Sequence, residues 1–212
     1  MPGGFAANAD GPYGNLSAVS PRKRLAALAV LLVALVVVAV VVARPKTSTP
    51  HSAKLSKSAV SAALAGSPAV LAALHAQGNQ LLSGGTKAFE ARMRQLRGYP
   101  VVVNKWASWC GPCQTEFPAY QRASVAFGRR VAFIGVDGKD QTPAAASFLT
   151  RFPVSYPSYI DPHEQIARSI QAATYYPQTV YFDRKGKEVF DHAGPYESAA
   201  ALEKDIRRYA MP

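Results

Sequence analysis

The sequence predicts an α/β fold in which helices flank a central sheet. Short apolar runs such as Val101–Val103 and Val131–Val136 are typical of strands that are buried on both faces of a sheet. Segments in which apolar residues recur at helical spacing lie between these runs. Near the end of the chain, two strand patterns flank a turn at Asp183–Gly186 and a last helical pattern follows. Strands that alternate with helices and end in a hairpin and a helix indicate an α/β sandwich.

The first part of the chain contains a candidate membrane anchor. Residues 25–43 are all apolar, and as a helix they would span about 28 Å, close to the ~30 Å hydrocarbon core of a bilayer. The basic residues before this run predict a cytoplasmic N-terminus and an extracytoplasmic remainder. The run is long for a cleaved signal peptide and lacks a small-x-small cleavage site, so we expect an uncleaved, single-pass anchor. Residues 1–24 are then a disordered cytoplasmic tail, and residues 44–58 are a linker.

The remaining residues are predicted to form a helical extension, residues 59–85, and a main domain, residues 86–212. The extension is expected to contain two short helices that run up to Leu82, the second capped by Ser67 with Pro68 at its first position. These helices would either pack on the core or present a specificity surface. The predicted elements of the main domain are helix Lys87–Leu96, strand Val101–Val103, a helix from Pro112, strand Val131–Val136, helix Pro143–Phe152 opened by Thr142, a short edge strand or loop ending at Tyr159-Ile160, helix Glu164–Ile170, strands Thr179–Phe182 and Glu188–His192, and helix Ser198–Tyr209.

The charge of the chain argues against a nucleic-acid partner. The formal net charge is +11, but charges of both signs are mixed along the chain and no run combines basic with aromatic residues. A solvated surface, with some attraction to an anionic membrane, is the interpretation that this pattern favours.

The chain has only two cysteines, Cys110 and Cys113, and they lie two residues apart where a strand pattern changes to a helical one. A helix N-terminus favours a thiolate over a thiol, because its backbone N–H groups and its dipole are positive there. Cys110 is therefore the expected nucleophile of a redox dithiol. Cys113, one turn further along, would be the more buried, resolving thiol.

A cysteine pair also has two simpler interpretations, a structural disulfide and a zinc site. A structural disulfide between residues three apart closes a very small loop and would add little stability. A zinc site would need two further ligands, and none of the four histidines has finger spacing with the pair. Redox chemistry is the interpretation that the spacing favours.

Three motifs extend this interpretation to a family. They are Val-Val-Asn-Lys-Trp-Ala-Ser-Trp-Cys-Gly-Pro-Cys at 102–113, Glu-Phe-Pro at 116–118, and Tyr-Pro-Gln-Thr-Val-Tyr-Phe-Asp-Arg-Lys-Gly at 176–186. From Thr86 to Ala210 the chain resembles the membrane-anchored, extracytoplasmic, TlpA-like thiol-disulfide oxidoreductases of the thioredoxin-like superfamily. The resemblance implies a thioredoxin-like fold, a central mixed sheet flanked by helices.

The resemblance also implies roles for two residues outside the cysteine pair. Pro177 would be a cis-proline that faces the dithiol across the substrate groove. Thioredoxins carry a buried aspartate where this chain has Asn104, which cannot act as a base. Glu116 would instead lie partly buried under the dithiol, where burial raises the pKa of a carboxyl group toward neutrality, and take the proton from Cys113. The alternative is that Glu116 is a surface charge without a function.

The substrate groove implied by the resemblance is formed by Trp109, Gly111, Pro112, Tyr176 and Pro177. Trp106 is expected in the core. The chain departs from the family at two positions: Lys105 replaces an aromatic residue in the central strand, and Tyr176 is larger than the residue that many relatives have before the proline. A lysine in a central strand must pair or extend to solvent, and it could also lower the pKa of a nearby thiol.

The resulting prediction is an extracytoplasmic thiol-disulfide oxidoreductase that needs no cofactor beyond its redox-active cysteine pair. It would act as a monomer and reduce disulfides in secreted proteins or in apocytochrome c. The resemblance implies a membrane electron-transfer reductase as the partner that recharges it from cytoplasmic thioredoxin.

Three other functions also depend on cysteine chemistry. An oxidase of secreted thiols would use the same residues in reverse, although Gly111-Pro112 resembles reducing thioredoxins. A peroxidase is disfavoured, because the peroxiredoxin pattern has Thr or Ser and Pro where this chain has Ala107 and Val103. A copper-binding assembly factor would require His163 or His192 to approach the cysteines.

Overall fold

The computed structural model describes residues 56–211. Its helices are α1 (Lys57–Leu64), α2 (Ala69–His75), α3 (Gly85–Gln95), α4 (Gly111–Phe127), α5 (Thr142–Arg151), α6 (Gln165–Ser169) and α7 (Ala199–Asp205), and a π-helical segment, Ile206–Ala210, follows α7. Its strands are β1 (Leu81–Leu82), β2 (Val101–Trp106), β3 (Ala132–Gly138), β4 (Ser158–Asp161), β5 (Gln178–Phe182) and β6 (Glu188–Ala193).

The six strands form one mixed sheet in the order β1-β4-β3-β2-β5-β6. β1, β4, β3 and β2 are parallel, whereas β5 and β6 pair antiparallel with their neighbours. This arrangement confirms the predicted α/β fold with a mixed sheet. The carboxyl ends of β2 and β3 lie at the same edge, with Trp106 opposite Asp137, and this edge carries the cysteine pair.

Strand β2 is buried along its whole length and divides the core into two faces. Val102 and Trp106 pack with α4 and the C-terminal helix on one face. Val101 and Val103 pack on the other face, with residues of α2, α3 and α6. Because side chains alternate along a strand, Asn104 belongs to the first face and Lys105 to the second. The two polar residues of β2 therefore serve opposite sides of the sheet.

The predicted helical extension differs from the structure at its end. Leu81 and Leu82 are not helical but form β1, which pairs in parallel with β4. β4 is consequently an inner strand rather than the edge that the sequence suggested. Ser67 does not cap α2, because its hydroxyl donates backward to the Leu64 carbonyl at 2.6 Å. Two leucine side chains of α2, Leu71 and Leu74, are fully buried, so the extension packs on the core.

No helix within residues 56–211 combines the length and the apolar character that crossing a bilayer requires. The predicted anchor at residues 25–43, the tail before it and most of the linker lie outside the described residues. Their organisation stays a prediction.

Candidate active site

The cysteine pair lies where the sequence placed it, at the start of α4. Cys110 is the N-cap of this helix, and its sulfur accepts a hydrogen bond from the Cys113 N–H at 3.1 Å. The two cysteines are joined by a disulfide with a Cα–Cα distance of 5.3 Å. Cys110 keeps 3% of its surface exposed and Cys113 none. Cys110 is therefore the thiol that a partner could reach, and Cys113 lies one turn behind it.

The loop before Cys110 is held by the loop after β3. Asp140 accepts hydrogen bonds from the Ser108 N–H, from the Ser108 hydroxyl at 2.8 Å and from the Gln141 N–H at 2.7 Å. The Trp109 indole N–H donates to the Lys139 carbonyl at 2.9 Å. These contacts fix the position of the cysteine loop relative to the sheet, so we identify Asp140 as a support of the site that the sequence did not reveal.

Glu116 is completely buried on the α4 side of the sheet. Its Oε2 accepts the Tyr196 N–H at 3.2 Å, and its Oε1 makes no hydrogen bond of normal geometry with any residue from 56 to 211. Burial raises the pKa of Glu116 to about 8, although the Tyr196 N–H and the nearby Asn104 side chain oppose this effect. The alternative of a surface charge is therefore wrong. A carboxyl group with a pKa near 8 exchanges protons in the range where a thiol does.

The Tyr176–Pro177 peptide bond is cis, as predicted. Tyr176 packs on Trp109, with a distance of 4.7 Å between the ring centroids. Trp109 is 56% exposed, whereas Trp106 is fully buried and donates to the Ser158 hydroxyl at 3.1 Å. The assignment of Trp106 to the core is confirmed, and Trp109 is available to a partner.

A buried ionic cluster lies on the other side of the sheet, next to Tyr176. The Lys105 ammonium is 2.9 Å from Glu164 Oε1, and the Lys139 ammonium is 2.8 Å from Glu164 Oε2. The Tyr176 hydroxyl also donates to Glu164 Oε1, at 2.7 Å. The requirement that Lys105 find a partner is thus met by Glu164. Its charge is matched there, so the structure offers no support for a role of Lys105 in activating a thiol.

The pKa values of this cluster follow from burial and pairing. Burial alone would raise the pKa of Glu164, but hydrogen bonds from Lys139, Lys105 and Tyr176 outweigh it and lower the pKa to about 2. Burial lowers the pKa of Lys105, and Glu164 opposes this shift. The pairing therefore favours the charged forms of both groups in this buried setting.

We expect Glu164→Ala to destabilise the protein by about 3 kcal/mol, because it leaves Lys105 buried without its counter-charge. Urea unfolding at pH 7 would measure this loss. The double variant Lys105→Met/Glu164→Ala should recover most of it, since no buried charge remains. The matched control is Glu90→Ala, which breaks only the exposed 3.9 Å pair with Arg94 and should cost less than about 1 kcal/mol. Equal losses from the two single variants would contradict the expectation.

Asp137 is a further buried carboxyl group that the sequence did not single out. It is 1% exposed at the carboxyl end of β3, and within the described residues its oxygens make no hydrogen bond of normal geometry. Burial, together with Asp140 and Asp161, raises its pKa to about 8. A sequence signal existed for Asp137, because it directly follows the predicted buried strand Val131–Val136 and parallel neighbouring strands end at the same edge. Glu164 had no comparable signal.

The described residues contain no cluster of side chains that could form a metal centre. Within residues 56–211, no group of three or more His, Cys, Asp or Glu side chains could hold a metal ion. His192 instead stacks on the Tyr196 ring at 4.0 Å. The copper-binding alternative therefore gains no support from the described part of the chain.

Comparison with known proteins gives a consistent family relationship. A model of the AhpC/TSA family matches residues 62–188. The thiol:disulfide interchange protein DsbE homolog of Paracoccus denitrificans is 36% identical over 95 residues, which are 44% of this chain and 50% of that protein. The thiol-disulfide oxidoreductase ResA of Geobacillus kaustophilus is 26% identical over 102 residues, 48% of this chain and 58% of that protein. The chain thus spans about half the length of the curated relatives that it matches.

The fold has counterparts among solved structures. A candidate thiol:disulfide interchange protein DsbE from Chlorobium tepidum superposes with a TM-score of 0.51 at 28% identity, covering 55% of this chain and 83% of that chain. The MTB DsbF structure superposes with a TM-score of 0.50, also at 28% identity, covering 54% of this chain and 84% of that one.

Proposed function

The chain belongs to the AhpC/TSA family of thioredoxin-like proteins, and from this premise we propose that it is a thiol-disulfide oxidoreductase that reduces disulfides in polypeptides. The observation that carries the proposal is the cysteine pair at the N-terminus of α4 with the buried Glu116 on the same helix. The relatives named as thiol-disulfide oxidoreductases and interchange proteins support it.

The reaction proceeds in two exchanges that balance. In the reduced protein, the Cys110 thiolate attacks one sulfur of the substrate disulfide, so that the substrate S–S bond breaks, a mixed disulfide forms and one substrate thiolate leaves. The Cys113 thiolate then attacks the Cys110 sulfur and releases the second substrate thiolate. The substrate gains two electrons and two protons, and the protein ends with the Cys110–Cys113 disulfide.

Each active-site residue has a role in one of these two exchange steps. The N-terminus of α4 stabilises the Cys110 thiolate. Glu116 accepts the proton of Cys113 during the second exchange, since its raised pKa lets it hold a proton near neutral pH. Trp109, Gly111, Pro112, Tyr176 and Pro177 line the groove for the substrate.

We place this reaction outside the cytoplasm, in a single-pass membrane protein anchored by residues 25–43. The apolar run and the basic residues before it support this location. Outside the cytoplasm a reductant must be recharged, so the proposal includes a membrane electron-transfer reductase. Secreted proteins and apocytochrome c are the proposed substrates, and the active form is a monomer.

The location can be tested with a single reporter thiol. In a Cys110→Ser/Cys113→Ser background, Ser83→Cys provides one cysteine at an exposed position. A membrane-impermeant maleimide should label this cysteine in intact cells. Labelling only after the cells are broken would place the domain in the cytoplasm and contradict the proposal.

The reduction potential of the full chain is the measurement that tests the proposed direction of electron flow. The protein, purified in detergent, is equilibrated in glutathione and dithiothreitol buffers, and the thiols are trapped and counted. A potential below about −220 mV is expected of a reductase, as for thioredoxin at about −270 mV. A potential above about −150 mV would overturn this direction and make the protein an oxidase of secreted thiols.

A further inference from the structure

Lys105 and Tyr176, which come from different strands and loops of the chain, are in direct contact. The Lys105 ammonium lies 3.6 Å from the centre of the Tyr176 ring, and both side chains bind the same oxygen of Glu164. A cation over an aromatic ring and a hydrogen bond to a carboxylate are both favourable in a buried setting. Lys105, Glu164 and Tyr176 therefore form one interacting set.

Two backbone features accommodate Lys105, Glu164 and Tyr176: a glycine at position 138 and a left-handed conformation at Glu164. A Cβ atom at Gly138 would overlap the Tyr176 hydroxyl, so the glycine opens the path by which the tyrosine reaches Glu164. Glu164 itself has a φ of 53°, a left-handed conformation that is rare for residues other than glycine. Both features allow the Tyr176 hydroxyl to reach the Glu164 carboxylate, and so they help to fix the position of the Tyr176 ring.

Tyr176 also contacts a residue of the active site. It packs on Trp109, whose indole N–H binds the Lys139 carbonyl while the Lys139 ammonium binds Glu164. Together with the hydrogen bond from Tyr176 to Glu164, these contacts link Tyr176, Trp109, Lys139 and Glu164 in a closed cycle. The exposed large apolar side chains of the described residues are Trp109, Tyr175 and Val189. In the sequence, Trp109 directly precedes Cys110 and Tyr175 directly precedes Tyr176.

We propose that Lys105 and Glu164 are positioning residues that hold Tyr176 against Trp109, and that these two rings form an aromatic platform selecting polypeptide disulfides with an aromatic side chain beside the cysteine. This inference rests on the proposed function and adds a substrate class to it. An aromatic side chain of the substrate would stack on the exposed indole. A platform whose rings are already fixed loses less entropy when the substrate binds.

The test uses the reduced full chain and three disulfide probes: a short peptide dimer linked through one cysteine with phenylalanine beside it, the same peptide with serine in that position, and hydroxyethyl disulfide. The wild-type protein is expected to show a kcat/KM about three- to tenfold higher for the phenylalanine peptide than for the serine peptide. Tyr176→Phe and Glu164→Gln should bring this ratio close to one, mainly by raising KM for the phenylalanine peptide.

The outcomes separate the inference from the function on which it rests. If Tyr176→Phe lowered kcat/KM by the same factor for all three probes, the role of Tyr176 would be merely structural and the inference would be overturned. A wild-type protein that reduced all three probes with equal kcat/KM would also overturn it. A wild-type protein that reduces none of them would overturn the proposed function instead. Tyr176→Phe keeps the ring and removes only the hydroxyl, so the test stands even if Glu164→Gln does not fold. Glu90→Gln, on the exposed face of α3, is the control and should keep the wild-type ratio.

Discussion

Cys110→Ser is expected to lower disulfide reduction by about three orders of magnitude or more, because it removes the only nucleophile that a substrate can reach. Cys110 caps α4 and keeps a small exposed area, whereas Cys113 is fully buried. The measurement is the rate of thiol release from a peptide disulfide by the reduced full chain. Serine is close to cysteine in size, so folding, followed by circular dichroism, should not change.

Cys113→Ser tests the order of the two cysteines. This variant should still attack the substrate but should be unable to resolve the product, so a mixed disulfide with Cys110 accumulates and can be isolated by nonreducing electrophoresis. The wild-type protein should show no such adduct at the same time point. If Cys110→Ser formed the adduct and Cys113→Ser did not, the assignment of nucleophile and resolving thiol would be reversed.

Glu116→Gln is expected to slow the resolution step about a hundredfold, at the lower end of what a positioned proton acceptor contributes. Only the ionised form of Glu116 can accept the proton of Cys113, and the pKa of Glu116 in the folded protein is about 8. The rate of the second exchange in the wild-type protein should therefore rise with pH through this value. In Glu116→Gln the rate should be lower across this range, and it should keep only the rise that comes from ionisation of the Cys113 thiol itself. Single-turnover release of the second substrate thiol, measured from pH 6 to 9, would show both effects.

The same group should make stability depend on pH. The pKa of Glu116 rises from 4.5 to about 8 on folding, so between these values the unfolded chain has lost a proton that the folded chain keeps. The free energy of unfolding of the oxidised protein should fall as the pH rises through this window, by an amount on the order of 5 kcal/mol from Glu116. The free energy of unfolding of Glu116→Gln should equal that of the wild type near pH 4 and should exceed it at pH 9.

A matched control separates Glu116 from other titrating groups. Burial also raises the pKa of Asp137 to about 8, so Asp137 likewise lowers the free energy of unfolding as the pH rises. This contribution remains in the Glu116→Gln variant. Glu197→Gln removes a carboxyl group from an exposed position and should reproduce the wild-type curve. A Glu116→Gln protein whose stability declined between pH 5 and 8 as steeply as the wild type would show that Glu116 is not the buried acid described here.

Much of the active site could be predicted because its signals are local. The cysteine spacing, the change from strand to helix and the proline at the first turn all lie within a few residues, and together they place Cys110 at a helix N-terminus. The cis form of Pro177 and the burial of Glu116 followed from the resemblance to a family, not from any rule of spacing. The structure then confirmed both features.

The residues that escaped prediction depend on contacts between distant segments. Glu164 looks like the start of a surface helix, and only the folded chain brings it to Lys105 and Tyr176. Asp140 is an ordinary loop acid until the loop after β3 meets the backbone of Ser108. Periodicity cannot reveal such partners, because it reports which side of an element is buried and not what lies against it.

By itself, the sequence determined the kind of fold, the position of the dithiol and its chemistry. These depend on short-range patterns: apolar runs that must be buried, and a cysteine pair whose reactivity follows from its place on a helix. Only the tertiary structure decided that Leu81 and Leu82 form a strand, that Lys105 forms an ion pair with Glu164 and that Tyr176 packs against Trp109. Each of these depends on packing between segments far apart in the chain, and the free energy of such contacts can override the local preference of a few residues.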